Sequence, residues 1–394
     1  MAGKKKWLNP TVIGASLTSF LSDLSHESVT VLLPALMVAM GAPPYALGLI
    51  EGISDGLASF AKLFSGYLSD KLGKHKEFAT AGYVLTGFFP AIVAISISWP
   101  MVLFGKAFGW FGKGIRGPAR DAILSKSVER EDLGKAFGLH RTGDTLGAIA
   151  GPAIAFFLIS YVSLTGIFWL ALVPGLLAAI VFWFFVKEKN HIPSGNHKTI
   201  IASLETLPKK FKGFLGAVLI FGVADFSHTM LIAFAVAMLA PSLGLVQAAA
   251  AGILLYIVRN IVYAIASYPF GALGDKYGRV RVLGFGYFVA TLTFIGFILS
   301  PLNILAYALL FAMAGLFIAA EDALEGAIAG ELVETKDRGL GYGALATVNG
   351  IGDFASSIIV GFIWAILGFG AGFVFCAIVA AIGTVAILDT KTRQ

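Results

Sequence analysis

The stretch GYLSDKLGKHK at Gly66–Lys76 recurs as GALGDKYGRVR at Gly271–Arg281, 205 positions further on. The same shift carries Gly134 and Gly138 onto Gly339 and Gly343, and Val128 onto Val333. Near the start of each half, Asp23-Leu24-Ser25-His26 returns as Asp225-Phe226-Ser227-His228. A chain that repeats itself over about half its length is built from two similar units. Between them, the 24 residues KEKNHIPSGNHKTIIASLETLPKK at 187–210 form the one long polar connection.

Composition sets the solvent for those units. Of 394 residues, 13% are charged and 57% hydrophobic, and the mean hydropathy is +0.84. Water-soluble domains carry roughly 25% charged residues, so a soluble enzyme is excluded and an integral membrane protein is expected. The 33 phenylalanines and 47 glycines suit helices packed closely in lipid. The lone Cys376 rules out a disulfide framework or a cysteine metal cluster. The net charge of +6 would suggest nucleic acid in a soluble protein, but no nucleic-acid partner is expected here.

About 20 mainly apolar residues cross a bilayer. Charge clusters and Gly/Pro breaks leave twelve such segments, near 11–39, 45–69, 77–98, 101–125, 136–161, 164–186, 211–240, 246–271, 280–299, 302–330, 340–366 and 369–388. Lys4–Lys6, then Lys71, Lys74 and Lys76, then Lys126, Arg130 and Lys135 fall in alternate connections. The series continues through 187–212, Lys276, Arg279, Arg281, Lys336, Arg338, Lys391 and Arg393, while the intervening links carry no charge. The positive-inside rule then puts both termini in the cytoplasm. The first apolar run is too long and too charged at its centre for a cleaved leader and is expected to stay as a span. The expected fold is an all-α membrane protein of 12 transmembrane helices in two six-helix bundles, 1–186 and 211–394, joined by a cytoplasmic linker at 187–210.

These residues resemble the major facilitator superfamily over essentially the whole chain. Its loop signature, Gly-x-x-x-Asp-Arg/Lys-x-Gly-Arg/Lys-x-Arg/Lys, is satisfied by Gly66, Asp70, Lys71, Gly73, Lys74 and Lys76, and again by Gly271, Asp275, Lys276, Gly278, Arg279 and Arg281. Gly147, Gly151 and Pro152 resemble the antiporter motif of that family, with Ala155 at its last glycine position. The fourth span is similar to the family's basic motif, with Lys106 where Arg is usual and Trp110 where a small residue is usual. The resemblance implies two bundles rocking about a midplane site, with the loop motif as a latch that breaks and reforms. The residues themselves also allow a simple anchor: glycines end the helix, Asp70 is suited to cap an adjacent helix N-terminus, and the lysines meet lipid headgroups.

Charges within spans cost at least about 2.5–3.5 kcal/mol each. Asp23, His26 and Glu27 fall near the middle of span one, and Asp225 and His228 at a similar depth of span seven. Spacing i, i+3 puts each Asp and His on one helical face. Such couples suit proton exchange or substrate binding, because His titrates near neutral pH. They could instead bond between helices, or supply ligands for a divalent metal, with Asp23, His26, Asp225 and His228 as the candidates.

Span four carries a basic stripe of Lys106, Lys113, Arg116 and Arg120, and the repeat puts Glu321, Asp322 and Glu325 at the matching part of span ten. These groups could gate by pairing across a cavity, hold a bipolar substrate, or pair permanently within each half. Glu51, Asp55 and Lys62 share a face of span two, and Glu51 and Asp55 are candidates for the substrate or proton site. Arg120, Asp121, Arg141 and Asp144, beside His140, read as an intracellular pairing network, and Arg259 and Asp353 as partners in the second half. Phe20, Phe108, Trp110, Phe111, Phe221 and Phe226 are candidates to line an amphipathic substrate.

The expected function is secondary transport of a small molecule or ion by alternating access in the cytoplasmic membrane, with protons as coupling ion and export favoured by the fifth-span motif. A monomer contacting membrane lipids, without a cofactor, is expected. No nucleotide-binding loop supports ATP hydrolysis, and no nucleophile with its base suggests an enzyme. A metal or metal-chelate transporter is one alternative. A receptor or lipid-handling protein on the same scaffold is another.

Overall fold

The computed structural model describes residues 7–129, 132–188, 207–300, 303–334 and 338–390. Most of the 187–210 connection, from 189 to 206, lies outside the described residues, as do Lys4–Lys6, Arg130, Lys336, Lys391, Arg393 and the Asp70 and Arg338 side chains. The described residues form fourteen helices and no strand. In the first half these are α1 (Pro10–Thr30), α2 (Leu33–Ala39), α3 (Pro44–Leu72), α4 (His75–Ala94), α5 (Trp99–Lys126), α6 (Leu133–Leu158) and α7 (Leu164–Phe185). The second half has α8 (Lys209–Gly222), α9 (His228–Leu243), α10 (Leu245–Tyr277), α11 (Arg279–Leu299), α12 (Ile304–Leu332), α13 (Arg338–Leu367) and α14 (Phe369–Asp389).

Local chemistry sets the helix ends. Asn9 caps α1 through its side chain, accepting from the Val12 amide at 3.1 Å, and Pro10 follows in the first turn, where a missing N–H costs nothing. Gly73 and Gly278 adopt φ of 65° and 97°. That left-handed geometry, cheap for glycine alone, makes the tight turns in both copies of the opening motif.

Among the described residues, seven helices are long and apolar enough to cross a membrane: α4, α7, α10, α11, α12, α14 and Gly341–Leu367 of α13. Their outer faces stay apolar, as on α7, where Val173, Ile180 and Phe184 are exposed. Contiguous exposed apolar surface of this kind belongs in lipid. The remaining expected spans differ for a physical reason. Polar and charged residues dilute α1, α3, α5 and α6, and the seventh segment is split into α8, of 14 residues, and α9, of 16.

Contacts divide the chain into two units, Met1–Met40 with Ile53–His197, and Gly41–Gly52 with Lys198–Gln394. In the first, Val12, Tyr83, Ile123 and Phe182 anchor a buried core, while glycines let helix backbones meet. A Cβ on Gly147 would lie 2.5 Å from the Phe20 carbonyl oxygen of α1, and one on Gly151 would lie 2.8 Å from that of Leu24. The glycines of the antiporter-like motif therefore seat α6 against α1. The second unit is filled by rings: Phe226, Phe234, Phe297, Trp364 and Phe373 form a connected aromatic cluster. Phe221 stacks on Tyr287 at a 3.5 Å centroid distance. Phe221 and Phe226 are thus buried core, not substrate lining within this unit.

Gly147→Ala is expected to destabilise the protein by about 1–3 kcal/mol through overpacking of α1 against α6. Gly138→Ala, at a position with open space around the new carbon, should leave the midpoint nearly unchanged. Thermal unfolding of the purified protein in detergent reads both.

Candidate functional site

In the first unit, α1 and α5 assemble a buried polar cluster. His26 Nε2 lies 3.0 Å from Asp23 Oδ1, one turn away on α1, as the i, i+3 spacing requires. Its other ring nitrogen is 3.5 Å from Glu27 Oε1. Arg116 reaches in from α5, its Nη2 3.5 Å from the same Asp23 oxygen and its Nη1 donating to Ser22 Oγ. The guanidinium also sits over the Tyr83 ring, 4.6 Å from its centroid. His26 is fully buried and Arg116 nearly so, so Asp23, between imidazole and guanidinium, is the charge on which the cluster turns.

Trp110 connects this cluster to α3. Its Nε1 donates to Asp55 Oδ1 at 2.8 Å, and its ring meets His26 edge-on at 5.5 Å. The ammonium groups of Lys106 and Lys113 lie 4.5 and 5.1 Å from the same ring, a cation–π arrangement strengthened by burial. The two lysines of the expected basic stripe therefore converge on one indole, while its arginines do not. At the end of α5, Arg120 Nε donates to Asp121 Oδ1 at 2.9 Å. On α6, Asp144 lies 3.6 Å from both Arg141 Nη1 and His140 Nδ1, and Ser19 of α1 donates to it. Of the four residues read as a pairing network, Arg141 thus lies by Asp144 and Arg120 by Asp121.

The second unit departs from the repeat. The chain is not helical over 223–227, so Asp225 and His228 do not share a helical face as expected. Ser227 caps α9, accepting from the Thr229 amide at 3.4 Å and donating to Glu51 Oε2 at 2.7 Å. Ser356 and Ser357 of α13 take up the freed backbone groups, Ser356 Oγ donating to the Asp225 carbonyl at 2.9 Å and Ser357 Oγ accepting from the Ser227 amide at 3.1 Å. Broken helices persist at membrane depth only where such partners are available. His228 instead stacks on Tyr256 at 4.8 Å. Glu51 and Asp55, expected to act from one face of α3, serve different units.

Glu325 accepts from Tyr287 OH at 2.6 Å and from Asn349 Nδ2 at 2.8 Å. Asp322 accepts from Tyr263 OH at 2.7 Å. Asp225 has Arg259, Asp322 and Glu321 as its electrostatic neighbours, and Asp353 is close enough to act on Glu321. Arg259 donates to Asn260 at 3.1 Å. Arg116 and Glu325 therefore each have partners inside their own unit. Among the described residues, no group of three or more His, Cys, Asp or Glu could hold a metal ion.

Charged groups fasten the described parts of both motif loops. In the second copy, Asp275 pairs with Arg279 at 2.8 Å, and Arg279 also reaches Glu331 of α12 at 3.3 Å. In the first, Glu188 caps α4, accepting from the amides of His75 at 3.2 Å and Lys76 at 2.9 Å and lying 2.8 Å from His75 Nδ1. Sequence reasoning gave capping to Asp70 and missed Glu188, Tyr287, Asn349, Ser19 and Ser22. A tyrosine inside a span, whose hydroxyl needs a partner, was the available signal for Tyr287.

A family model described as Major Facilitator Superfamily matches residues 15–259 and 217–393. An uncharacterized MFS-type transporter of Methanocaldococcus jannaschii is 35% identical over 363 residues, covering 91% of this chain and 89% of its own. The multi-drug resistance efflux pump PmrA of Streptococcus pneumoniae is 24% identical over 318 residues, 75% of each chain. The crystal structure of the nucleoside transporter NupG superposes with a TM-score of 0.79 at 14% identity, over 98% of this chain and 100% of that one.

Tyr287→Phe removes one donor from buried Glu325 and should cost about 1–3 kcal/mol. In a double-mutant cycle with Glu325→Gln, read by thermal unfolding, the pair should show coupling rather than additivity.

Proposed function

The chain belongs to the major facilitator superfamily and is an integral multi-pass membrane transporter, and from that premise we propose proton-coupled secondary transport of a small solute. In this reading the twelve helical segments all span, in two six-helix bundles with both termini cytoplasmic, and the bundles rock to alternate access. The membrane is the plasma membrane, and protons are the partner ion.

The observation that carries the reading is the buried Asp23–His26–Arg116 cluster. A proton arriving on Asp23 neutralises the acceptor shared by imidazole and guanidinium. Arg116 is then left with Ser22 and the Tyr83 face, and an underpaired buried cation is costly. An anionic group of a substrate, or a helix movement, restores its pairing. Binding of solute and of proton are thereby linked through one side chain. The Glu321, Asp322 and Glu325 group supplies the opposite polarity for a cationic or donor group.

Export is supported by likeness to a pump whose name states efflux and by the Gly147, Gly151 and Pro152 pattern. In the same reading the motif glycines and Lys71, Lys74, Lys276 and Arg279 act as the latch.

The test is a proteoliposome screen under an imposed pH gradient across metals, organic ions and drugs. For a solute so found, Asp23→Asn should lower gradient-driven flux by about tenfold or more while passive exchange persists. Equal gradient-driven flux in the wild type and Asp23→Asn would overturn the coupling role.

A further inference from the structure

The turn at Gly278 joins α10 to α11, both of them in the second unit and both long and apolar enough to cross a membrane. Beside that turn the two helices border a crevice of about 410 Å³. Phe270, Leu273 and Tyr277 line it from α10, at spacings of three and four that share one helical face, and Arg281, Val282 and Phe285 line it from α11. Phe270 and Val282 are buried, at 7% and 9% exposure, whereas Tyr277 and Phe285 are 54% and 56% exposed. The crevice thus has an apolar floor and open rims. Among the described residues that line it, Arg281 is the one charged side chain, and none is a carboxylate.

Two arginines begin α11, and the protein uses only the first. Arg279 pairs with Asp275 at 2.8 Å and Glu331 at 3.3 Å, and donates to the Ala327 carbonyl at 3.4 Å. Arg281 is exposed and has no hydrogen bond, ion pair or ring contact with any described residue. Lys276 adds a second positive charge, its ammonium 5.1 Å from the centroid of the Tyr277 ring. The repeat shows that this arrangement is not inherent in the motif. A shift of 205 replaces Phe270, Val282 and Phe285 by Ser65, Glu77 and Thr80, and Arg281 by Lys76. Carboxylates already stand by Lys76: Glu77 follows it, and Glu188 accepts from its amide at 2.9 Å.

Below the crevice, Phe285, Phe288, Leu292 and Ile295 continue down α11 as an exposed apolar stripe. From 285 to 295 the helix rises about 15 Å, the depth of one leaflet in a hydrocarbon core of about 30 Å. We propose that this crevice binds an anionic phospholipid, with its phosphate at Arg281 and an acyl chain between Phe270 and Phe285 and on along the stripe. A free anion would meet Arg281 and leave the apolar walls bare. A zwitterionic headgroup would bring its own cation to a rim that already holds Arg281 and Lys276, whereas an anionic one does not. The site depends on the membrane assignment and not on proton coupling. With both termini cytoplasmic, as proposed above, the lipid belongs to the cytoplasmic leaflet.

The test uses full-length protein, stripped of lipid in detergent and titrated with phosphatidylglycerol or phosphatidylcholine of identical acyl chains, with the adducts counted by native mass spectrometry. The first phosphatidylglycerol should bind about fivefold or more tightly than the first phosphatidylcholine. Arg281→Gln should abolish that preference, and Phe285→Ala should weaken both lipids alike. Lys76→Gln, at the corresponding position of the first copy, should keep the preference. Glycerol 3-phosphate, which has the anion without the chains, should not displace the lipid. Both altered positions of α11 are exposed, and thermal unfolding checks that each variant is folded. Equal affinity for the two lipids in the wild type overturns the proposal. So does a preference that survives Arg281→Gln or is lost in Lys76→Gln, retention unchanged by Phe285→Ala, or displacement by glycerol 3-phosphate.

Discussion

A charge held inside a low-dielectric helix bundle must find compensation close by, and the rest of this structure is arranged around that constraint. In the first unit the compensation is ionic: Asp23 stands between His26 and Arg116, and Asp144 between His140 and Arg141. In the second it is largely neutral, with Tyr287 and Asn349 on Glu325 and Tyr263 on Asp322. Ionic compensation responds to the arrival of a proton, because losing one charge unbalances the other. Neutral donors respond less.

The same constraint accounts for the way the repeats diverge. Asp23 and His26 sit on an unbroken α1, where the backbone is self-satisfied and the side chains are free to pair. Asp225 sits where the helix opens, and hydroxyls of α13 are spent on its backbone. With its carbonyl tied to Ser356, and His228 stacked on Tyr256, the second Asp-x-x-His sequence forms no copy of the first couple. Identical motifs end as different chemistry because their neighbours, not their own residues, decide which backbone groups need help. Glycine plays a matching part: Gly147 and Gly151 bring α6 close enough to α1 for Ser19, His140 and Asp144 to meet.

Much of the fold was legible in residue pattern. The duplicated loop motif, the scarcity of charge and the apolar runs pointed to a two-unit helical membrane protein, and the family match agrees with that class. The Asp23–His26 contact was readable because i, i+3 geometry is local to one helix. The Arg141–Asp144 pair was legible for the same reason. The shared face expected of Asp225 and His228 failed because the spacing rule presumes a continuous helix, whereas α8 ends at Gly222 and α9 starts anew after its cap Ser227.

Solvent, repeat, turn glycines and local pairs could all be read from residue order, since each follows from covalent neighbourhood and helical period. That Arg116 meets Asp23, that Trp110 gathers Lys106, Lys113, His26 and Asp55, that Glu188 caps α4, and that Ser19 joins His140 to Asp144 emerged with the packing of the helices. These contacts link helices distant in sequence, and their distances depend on which backbones approach closely enough for short side chains to touch. A buried polar group requires a partner, but its own position in the chain does not say which partner that will be.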